Sequence, residues 1–217
     1  MTRFRPAALI AALATTTLFT ACAPLVVGGA MVGGTLMATD RRTSGTQIED
    51  QSIEVKASIR VHDAIGDRAH VNVVSYNRQV LITGEASSEA DRATIEQAVQ
   101  RVENVRQTYN EVGVMGVSSL TSRSNDVLIT SLVKASFVDS KDLYANAVKV
   151  TTERGVVYLM GRVTEREATH AVEIARGVSG VSKVVRVFEI LSEQELAQLV
   201  PGQTPAAPAS ETTTTTK

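Results

Sequence analysis

The composition of the chain suits a globular protein and excludes several classes of function. Its 217 residues fit one domain or two small ones, and they are 43% hydrophobic, 21% charged and 4% aromatic. Lys and Arg (22) nearly balance Asp and Glu (23), so the basic excess that is typical of nucleic-acid-binding proteins is missing. One cysteine excludes an internal disulfide and a multi-cysteine metal site, and three scattered histidines argue against a histidine zinc cluster.

The N-terminus has the pattern of an export signal that ends at the only cysteine. Arg3 and Arg5 form the positive start, residues 7–19 form a short apolar run, and small residues lead into Cys22. This pattern resembles a bacterial lipobox, so residues 1–21 are predicted to be a signal peptide and Cys22 to be lipidated. Several acyl chains on one cysteine give durable anchoring, whereas one chain would be marginal. By the rule for Gram-negative lipoproteins, alanine after the cysteine implies the outer membrane.

Two segments are predicted to lie outside folded domains. Residues 22–45 contain an apolar stretch, but two glycine pairs interrupt it before it reaches the roughly 20 continuous apolar residues of a spanning helix. We therefore expect residues 22–45 to be a flexible, lipidated tether. Residues 193–217 end in a Pro-, Ala- and Thr-rich stretch that cannot bury enough apolar surface to fold, so they are predicted to form a disordered tail.

The middle of the chain contains two copies of one pattern, about 77 residues apart. Val71-Asn72-Val73 matches Val148-Lys149-Val150, and the apolar run that ends at Gly84 matches the run that ends at Gly161. A spacing of this kind within one chain indicates duplication. The two copies are predicted to form domains over residues 46–119 and 120–192.

Each copy is predicted to fold as helix, strand, strand, helix, strand. The first copy has helix 47–65, a turn at Asn77-Arg78, a helix from Ser87 or Ser88, and strand 106–114. The second copy has helix 125–140, a turn at Arg154-Gly155, a helix with a capping box at Thr164–Glu167, and strand 184–191. A right-handed crossover then places both helices on one face of a three-stranded mixed sheet, which is an α+β fold.

This repeated unit resembles the BON domain. The resemblance rests on the Val-x-Val strands, the apolar strands that end in glycine, and Gly-Val-x-x-Val at residues 180–184. Segments 38–42, 45–47 and 150–168 are similar to outer-membrane lipoproteins with two such domains. The resemblance implies a periplasm-facing lipoprotein that binds anionic phospholipids (phosphatidylglycerol, cardiolipin) through its second domain. It also implies a role in envelope integrity, enrichment at the division site, and support of outer-membrane protein assembly.

The first helix of the second copy carries an apolar ridge outside its predicted core stripe. The first copy has Ser52, Lys56, Ile59 and His62 at the equivalent positions, which are largely polar. Apolar side chains beside lysines suit a headgroup interface, where chains insert and cations lie near phosphates. The predicted lipid-binding residues are Leu128, Leu132, Lys134, Ala135, Val138 and Lys141.

The net charges of the two domains and the residue at position 128 both affect the prediction of lipid binding. Residues 46–119 hold 7 basic and 11 acidic side chains, a net −4, and residues 120–191 hold 10 and 8, a net +2. The second domain should therefore approach an anionic bilayer more readily than the first. The resemblance implies tryptophan where this chain has Leu128, and leucine lacks the amphipathic ring that is favoured at interfaces. Two alternatives stay open: the ridge packs against the first domain, or it docks the outer-membrane protein assembly machinery.

Catalysis finds no support in the sequence. No Gly-x-Ser-x-Gly elbow or phosphate-binding loop occurs, so neither a serine nucleophile nor a nucleotide site is indicated. His62, His70 and His170 lack metal-ligand spacing, and the charged run 165–167 reads as helix capping. We predict a binding protein that is not an enzyme, with no cofactor and no metal.

Overall fold

The computed structural model describes residues 40–140 and 143–199. The predicted signal peptide, Cys22, most of the tether, Lys141 and the tail from residue 200 onward lie outside the described residues. Both sheets lie in one compact unit that begins at Arg41. Residues from Arg41 onward therefore contain everything that the folded part needs for its core.

Both copies fold in the predicted order of elements. The first copy consists of α1 (Ser44–Ile65), β1 (Ala69–Tyr76), β2 (Gln79–Ala86), α2 (Glu89–Gln100), β3 (Gln107–Asn110) and β4 (Gly113–Val114). The second copy consists of α3 (Leu120–Asp139), β5 (Val148–Glu153), β6 (Val156–Val163), α4 (Glu165–Arg176) and β7 (Lys183–Ile190). A last helix, α5 (Glu193–Leu199), follows it.

The sheet topology confirms the predicted α+β class. In the first copy, β1 pairs antiparallel with β2, and β2 pairs parallel with β3 and β4, which together take the place of one predicted strand. In the second copy, β5 pairs antiparallel with β6, and β6 pairs parallel with β7. The apolar stripes of the two helices in each copy pack with their sheet into a separate core. Each copy is thus a mixed sheet with two helices on one face.

Local sequence explains where the helices and hairpins begin. The Ser88 and Thr164 side chains accept hydrogen bonds from the third residue of the helix that follows, and Thr164 with Glu167 forms the predicted capping box. Both hairpin turns use residues at positive φ, Asn77-Arg78 in the first copy and Arg154-Gly155 in the second. This geometry matches the twist of the flanking strands.

The second strand of each copy has a glycine two residues before its end, where another backbone segment comes too close for a side chain. A Cβ at Gly84 would collide with the backbone oxygen of His70, and one at Gly161 with that of Ala147. The structural role that we assign to these glycines, rather than ligand contact, follows from this crowding.

A buried aspartate ties the first helix of each copy to its own hairpin. Asp50 on α1 accepts hydrogen bonds from the backbone amides of Asn77 and Arg78. Asp126 on α3, 76 residues later, accepts the same pair of bonds from Arg154 and Gly155. Both copies therefore have the same hydrogen bonds between helix and hairpin as well as the same buried apolar stripe.

The two copies meet through the sheet faces that their helices leave open. A third apolar cluster joins residues from both sheets: Val74, Tyr76, Leu81, Tyr158, Met160 and Val187. Polar contacts surround it, including Arg154 with Glu85 and Lys149 with Glu54. The buried junction therefore lies on the sheet faces opposite the helices, and Val127 and Lys134 of α3 line a groove beside it that also contains His70 and Val71 of β1.

Three sequence-based expectations need correction at element ends. The tether was expected to be flexible through residue 45, but Arg41 and Arg42 make ion pairs with Glu167 and Asp50, and α1 begins at Ser44. The tail was expected from residue 193, but residues 193–199 form α5, since Leu196 is fully buried and Ser192 bonds to Glu195 as a cap. Helix α3 begins at Leu120 rather than 125, because Ser119 caps it.

Candidate functional site

The predicted ridge on α3 faces solvent. Leu128, Leu132 and Val138 expose 62%, 51% and 72% of their surfaces, and Ala135 and Lys134 are exposed as well. The opposite stripe of the helix is buried against the sheet of the second copy. The alternative in which the ridge packs against the first domain is therefore wrong, because the two copies meet through their sheets. Lys141 lies outside the described residues.

Two further apolar residues widen this surface. Leu120 and Val127 expose 79% and 65% of their surfaces, and on a helical wheel they lie beside Val138. Sequence reasoning missed Leu120 because it started the helix at residue 125. It missed Val127 because it judged the ridge only by contrast with the first copy. We call Leu120, Val127, Leu128, Leu132, Ala135 and Val138 together the α3 apolar face.

The serines of α3 add little polarity to this face. The hydroxyls of Ser124 and Ser131 each donate to the carbonyl four residues earlier, at 2.9 Å, and Ser136 does the same at 3.0 Å. A hydroxyl that is already bonded to its own helix loses less on leaving water than a free one. These three hydroxyls therefore add little unsatisfied polar surface to the α3 apolar face.

Lys134 stands at the border of the α3 apolar face, between two grooves. One groove, of about 520 Å³, separates α3 from β1 and has Asp126 and Glu153 among its lining residues. The other, of about 450 Å³, lies toward the C-terminal end of α3 and is lined by Arg42, Lys149 and Val138. The electrostatic character of the two grooves differs, since carboxylates line only the first.

The groove between α3 and β1 contains an unusual carboxyl group at the junction between the copies. Glu153 is 9% exposed, and burial, together with the nearby carboxylates of Glu85 and Asp126, raises its pKa to about 7. At Glu85, burial acts to raise the pKa, but hydrogen bonds from Arg154 and Ser118 outweigh it and lower the pKa. Burial and the charge of Arg123 lower the pKa of His70. The protonation of this junction therefore changes near neutral pH.

The chain enters the folded part through two arginines that bind different copies. Arg41 donates two hydrogen bonds to the carboxylate of Glu167, at 2.6 and 2.8 Å, and both side chains are buried. Arg42 bonds to Asp50 on α1 and stacks on the ring of Tyr76. Burial would raise the pKa of Glu167, but the bonds from Arg41 and Thr164 outweigh it and lower that pKa. These contacts hold the entry point beside the groove that Val138 lines.

Potential metal ligands do not gather into a site in the described part of the chain. Within residues 40–140 and 143–199, no group of three or more potential metal ligands comes together. His170 is within hydrogen-bond distance of the Ser140 hydroxyl, which places it beside the C-terminal end of α3. None of the helices in the described part of the chain is both long and apolar enough to span a bilayer.

Comparisons with known proteins decide the family. The model of the BON domain matches residues 49–116 and 125–192, one match in each copy. The chain belongs to the BON-domain family. It is 40% identical over 173 residues to the outer membrane lipoprotein DolP of Haemophilus influenzae, covering 78% of this chain and 89% of that protein.

Two other family relatives are more distant. The 21 kDa hemolysin of Actinobacillus pleuropneumoniae is 33% identical, covering 69% of this chain and 78% of its own. The osmotically-inducible protein Y of Escherichia coli is 34% identical over 98 residues, covering 43% and 49% of the two chains. The two BON-domain matches in this chain and its identity to DolP confirm the predicted resemblance. None of these three relatives is named as an enzyme.

Proposed function

We propose that this BON-domain protein is an outer-membrane lipoprotein that faces the periplasm and binds anionic phospholipid through the α3 apolar face. Membrane anchoring at Cys22 is supported by the lipobox pattern and by the name of the Haemophilus relative. The observation that carries lipid binding is the wide, exposed α3 apolar face with Lys134 at its border. A large exposed apolar patch marks an interaction surface, and lysines beside it suit anionic headgroups.

The position of the chain entry supports the same arrangement. Arg42 and Val138 line one groove, so the segment that leads back toward Cys22 meets the folded part near one end of the α3 apolar face. An acyl anchor and a bilayer-binding helix would then act on the same membrane. Support of envelope integrity and enrichment at the division site belong to this proposal through the family resemblance, as does contact with the outer-membrane protein assembly complex.

A vesicle-binding experiment tests the lipid site directly. The fragment 40–217 lacks the acyl anchor and contains the complete folded unit. We expect Leu128→Glu with Leu132→Glu to weaken its binding to vesicles that contain phosphatidylglycerol by more than about 100-fold, since burying each leucine contributes about 1.5–3 kcal/mol. The matched control is Val55→Glu with Ile59→Glu, which places the same charges on the exposed side of α1.

Three outcomes separate the possibilities. Loss of binding only in the α3 variant, with unchanged circular dichroism and thermal melting, supports the proposal. Equal binding by both variants and the unmodified fragment would show that the lipid site lies elsewhere. Absence of vesicle binding by the unmodified fragment, with α3-dependent capture of the assembly complex, would favour the protein-docking alternative.

A further inference from the structure

The groove at the C-terminal end of α3 has the side chains of an anion site. Its volume is about 450 Å³, and three cations line it: Arg42, Lys134 and Lys149. Asn146 adds an amide to the lining, and Val138 connects the groove to the α3 apolar face. No carboxylate lines this groove among the residues that the structure places. We call it the basic pocket.

Two of the cations are held in place by contacts with the first copy. Lys149 on β5 donates to the Glu54 carboxylate at 2.6 Å and to the Ser75 carbonyl at 3.2 Å. Arg42 donates to the Asp50 carboxylate at 2.8 Å and lies 4.1 Å from the centre of the Tyr76 ring. Side chains that are already ordered lose less conformational freedom when a ligand binds.

One of the three cations that line the basic pocket has no carboxylate partner among the described residues. Two carboxylates, Asp50 and Glu54, pair with two of the three cations that line the pocket. Lys134 is exposed, and the described part of the chain provides it with no ion pair or hydrogen bond. A phosphodiester carries one negative charge at neutral pH, so it would balance the remaining lysine.

The other groove beside Lys134 does not fit a phosphate. Arg123 lines it, but so do Asp126 and Glu153, and burial together with the charges of Glu85 and Asp126 raises the pKa of Glu153 to about 7. A second anion there would add to the same repulsion. The two grooves beside Lys134 therefore differ in charge, and only the basic pocket favours a negatively charged ligand.

We propose that the basic pocket binds the phosphodiester of a phospholipid headgroup whose acyl chains lie on the α3 apolar face. This inference rests on the proposed function and adds the position of the headgroup and the chemistry that recognises it. Val138 marks where the polar and apolar parts of the lipid meet. A phosphate-specific site, rather than general attraction to negative charge, is the new element.

The experiment compares two anionic vesicles of equal charge, one with phosphatidylglycerol and one in which a phosphate-free carboxylate lipid replaces it. For Lys134→Gln with Lys149→Gln in fragment 40–217, we expect about 25-fold weaker binding to the phosphatidylglycerol vesicles, at roughly fivefold per lysine, and a clearly smaller loss on the carboxylate vesicles. Lys56→Gln, an exposed lysine on α1, is the matched control. Glu54→Gln should act in the opposite direction and strengthen binding, because it removes a negative charge beside Lys149. Equal losses on both vesicles would overturn the pocket.

A soluble probe keeps the test independent of membrane binding. Glycerophosphoglycerol should shift the NMR signals of Asn146 and Lys149 in the fragment, and the double lysine variant should lose these shifts. If the shifts appear although vesicles are not bound, the proposed function fails and the pocket stands. If inorganic phosphate binds as well as the ester and the vesicles ignore the lysine variants, free phosphate is the ligand and the lipid assignment is wrong. Absence of any shift, with vesicle binding insensitive to the lysines, overturns the pocket while the α3 face remains.

Discussion

Helices α1 and α3 occupy the same place in two copies of one fold, and they differ on the side that faces solvent. Both bury three side chains at equivalent positions, Ile53, Ala57 and Val61 in one and Ile129, Val133 and Phe137 in the other. Both also hold their hairpin with a buried aspartate. The inner face is constrained by the core and by the turn, so duplication left only the outer face free to diverge.

The outer faces differ in width rather than in the mere presence of apolar residues. At the four positions that were compared α1 is largely polar, but Ile48, Val55 and Ile59 are exposed on the same side of the helix. These three lie within about 40° of one another on the wheel, whereas the α3 apolar face spans about 140° from Val127 to Leu132. Lys56 stands where α3 has Leu132, and it limits the stripe on α1. A broad face suits a bilayer, and a narrow stripe between charges does not.

The largest expected effect concerns a second pair of equivalent residues. Asp91 and Glu167 hold the third position of α2 and α4, 76 residues apart, and each pairs with an arginine. Asp91 pairs with Arg68, which is exposed, whereas Glu167 pairs with the buried Arg41. We expect Glu167→Gln to lower the free energy of unfolding by about 3 kcal/mol, since it leaves a buried guanidinium without its counter-charge.

Glutamine at this position still satisfies the capping box, so the loss measures the ion pair rather than the cap. The matched change Asp91→Asn should cost less than about 1 kcal/mol, because its partner is exposed to solvent. Urea unfolding of fragment 40–217 measures both values. Equal costs for the two variants would show that the entry segment is not held more firmly than an ordinary surface pair.

The next prediction concerns the residues that end the first strand of each hairpin and their effect on the pH dependence of stability. Tyr76 ends β1 and packs in the junction, whereas Glu153 ends β5 with a pKa raised to about 7. A carboxyl whose pKa is higher in the folded state binds more protons than the unfolded chain between about pH 4.5 and 7. Its contribution to stability is therefore complete below pH 4.5 and is lost as the pH rises to about 7.

Glu153→Gln removes this dependence on pH. At pH 8 the variant should exceed the unmodified fragment in free energy of unfolding by on the order of 2 kcal/mol, and near pH 4 the two should be equal. Glu167, whose lowered pKa acts in the opposite direction, is common to both proteins and cancels in the difference. A difference that does not change with pH would contradict the assignment to Glu153.

Most of the fold could be predicted from the repeat. The side-chain contacts between the two copies could not be predicted. Strand alternation, the Thr164 capping box and the hairpin residues are local signals, and they placed the elements correctly. The sheet-to-sheet junction and the Arg41–Glu167 pair join residues more than 70 positions apart, for which one sequence carries no direct signal. The equal spacing of Asp50 and Asp126 was visible in the sequence and could have revealed the hairpin tie.

The candidate site could be predicted only in part, because some of its residues follow a local helical pattern and others come together only in the folded chain. A helical wheel identified Leu128, Leu132, Ala135 and Val138, since the core stripe fixes which side of α3 is buried. The width of the face depended on the start of the helix, which an exposed serine cap sets. The basic pocket draws on Arg42, Lys134 and Lys149 from three separate segments, so it required the fold.

The smallest expected effect tests whether the outer face of the first helix alone explains why the two copies differ in lipid binding. Ser52→Leu and Lys56→Leu give α1 the leucines that α3 has at equivalent positions. Introduced into the Leu128→Glu, Leu132→Glu background, they should restore about tenfold of the lost affinity for phosphatidylglycerol vesicles, through the apolar area gained. Recovery should stay incomplete, because the first copy has a net charge of −4 over residues 46–119 and no equivalent of the basic pocket. Raising the salt concentration should narrow the remaining difference, since screening weakens repulsion from an anionic surface. Full recovery at low salt would mean that apolar width is sufficient, and no recovery would mean that α3 binds through something other than its leucines.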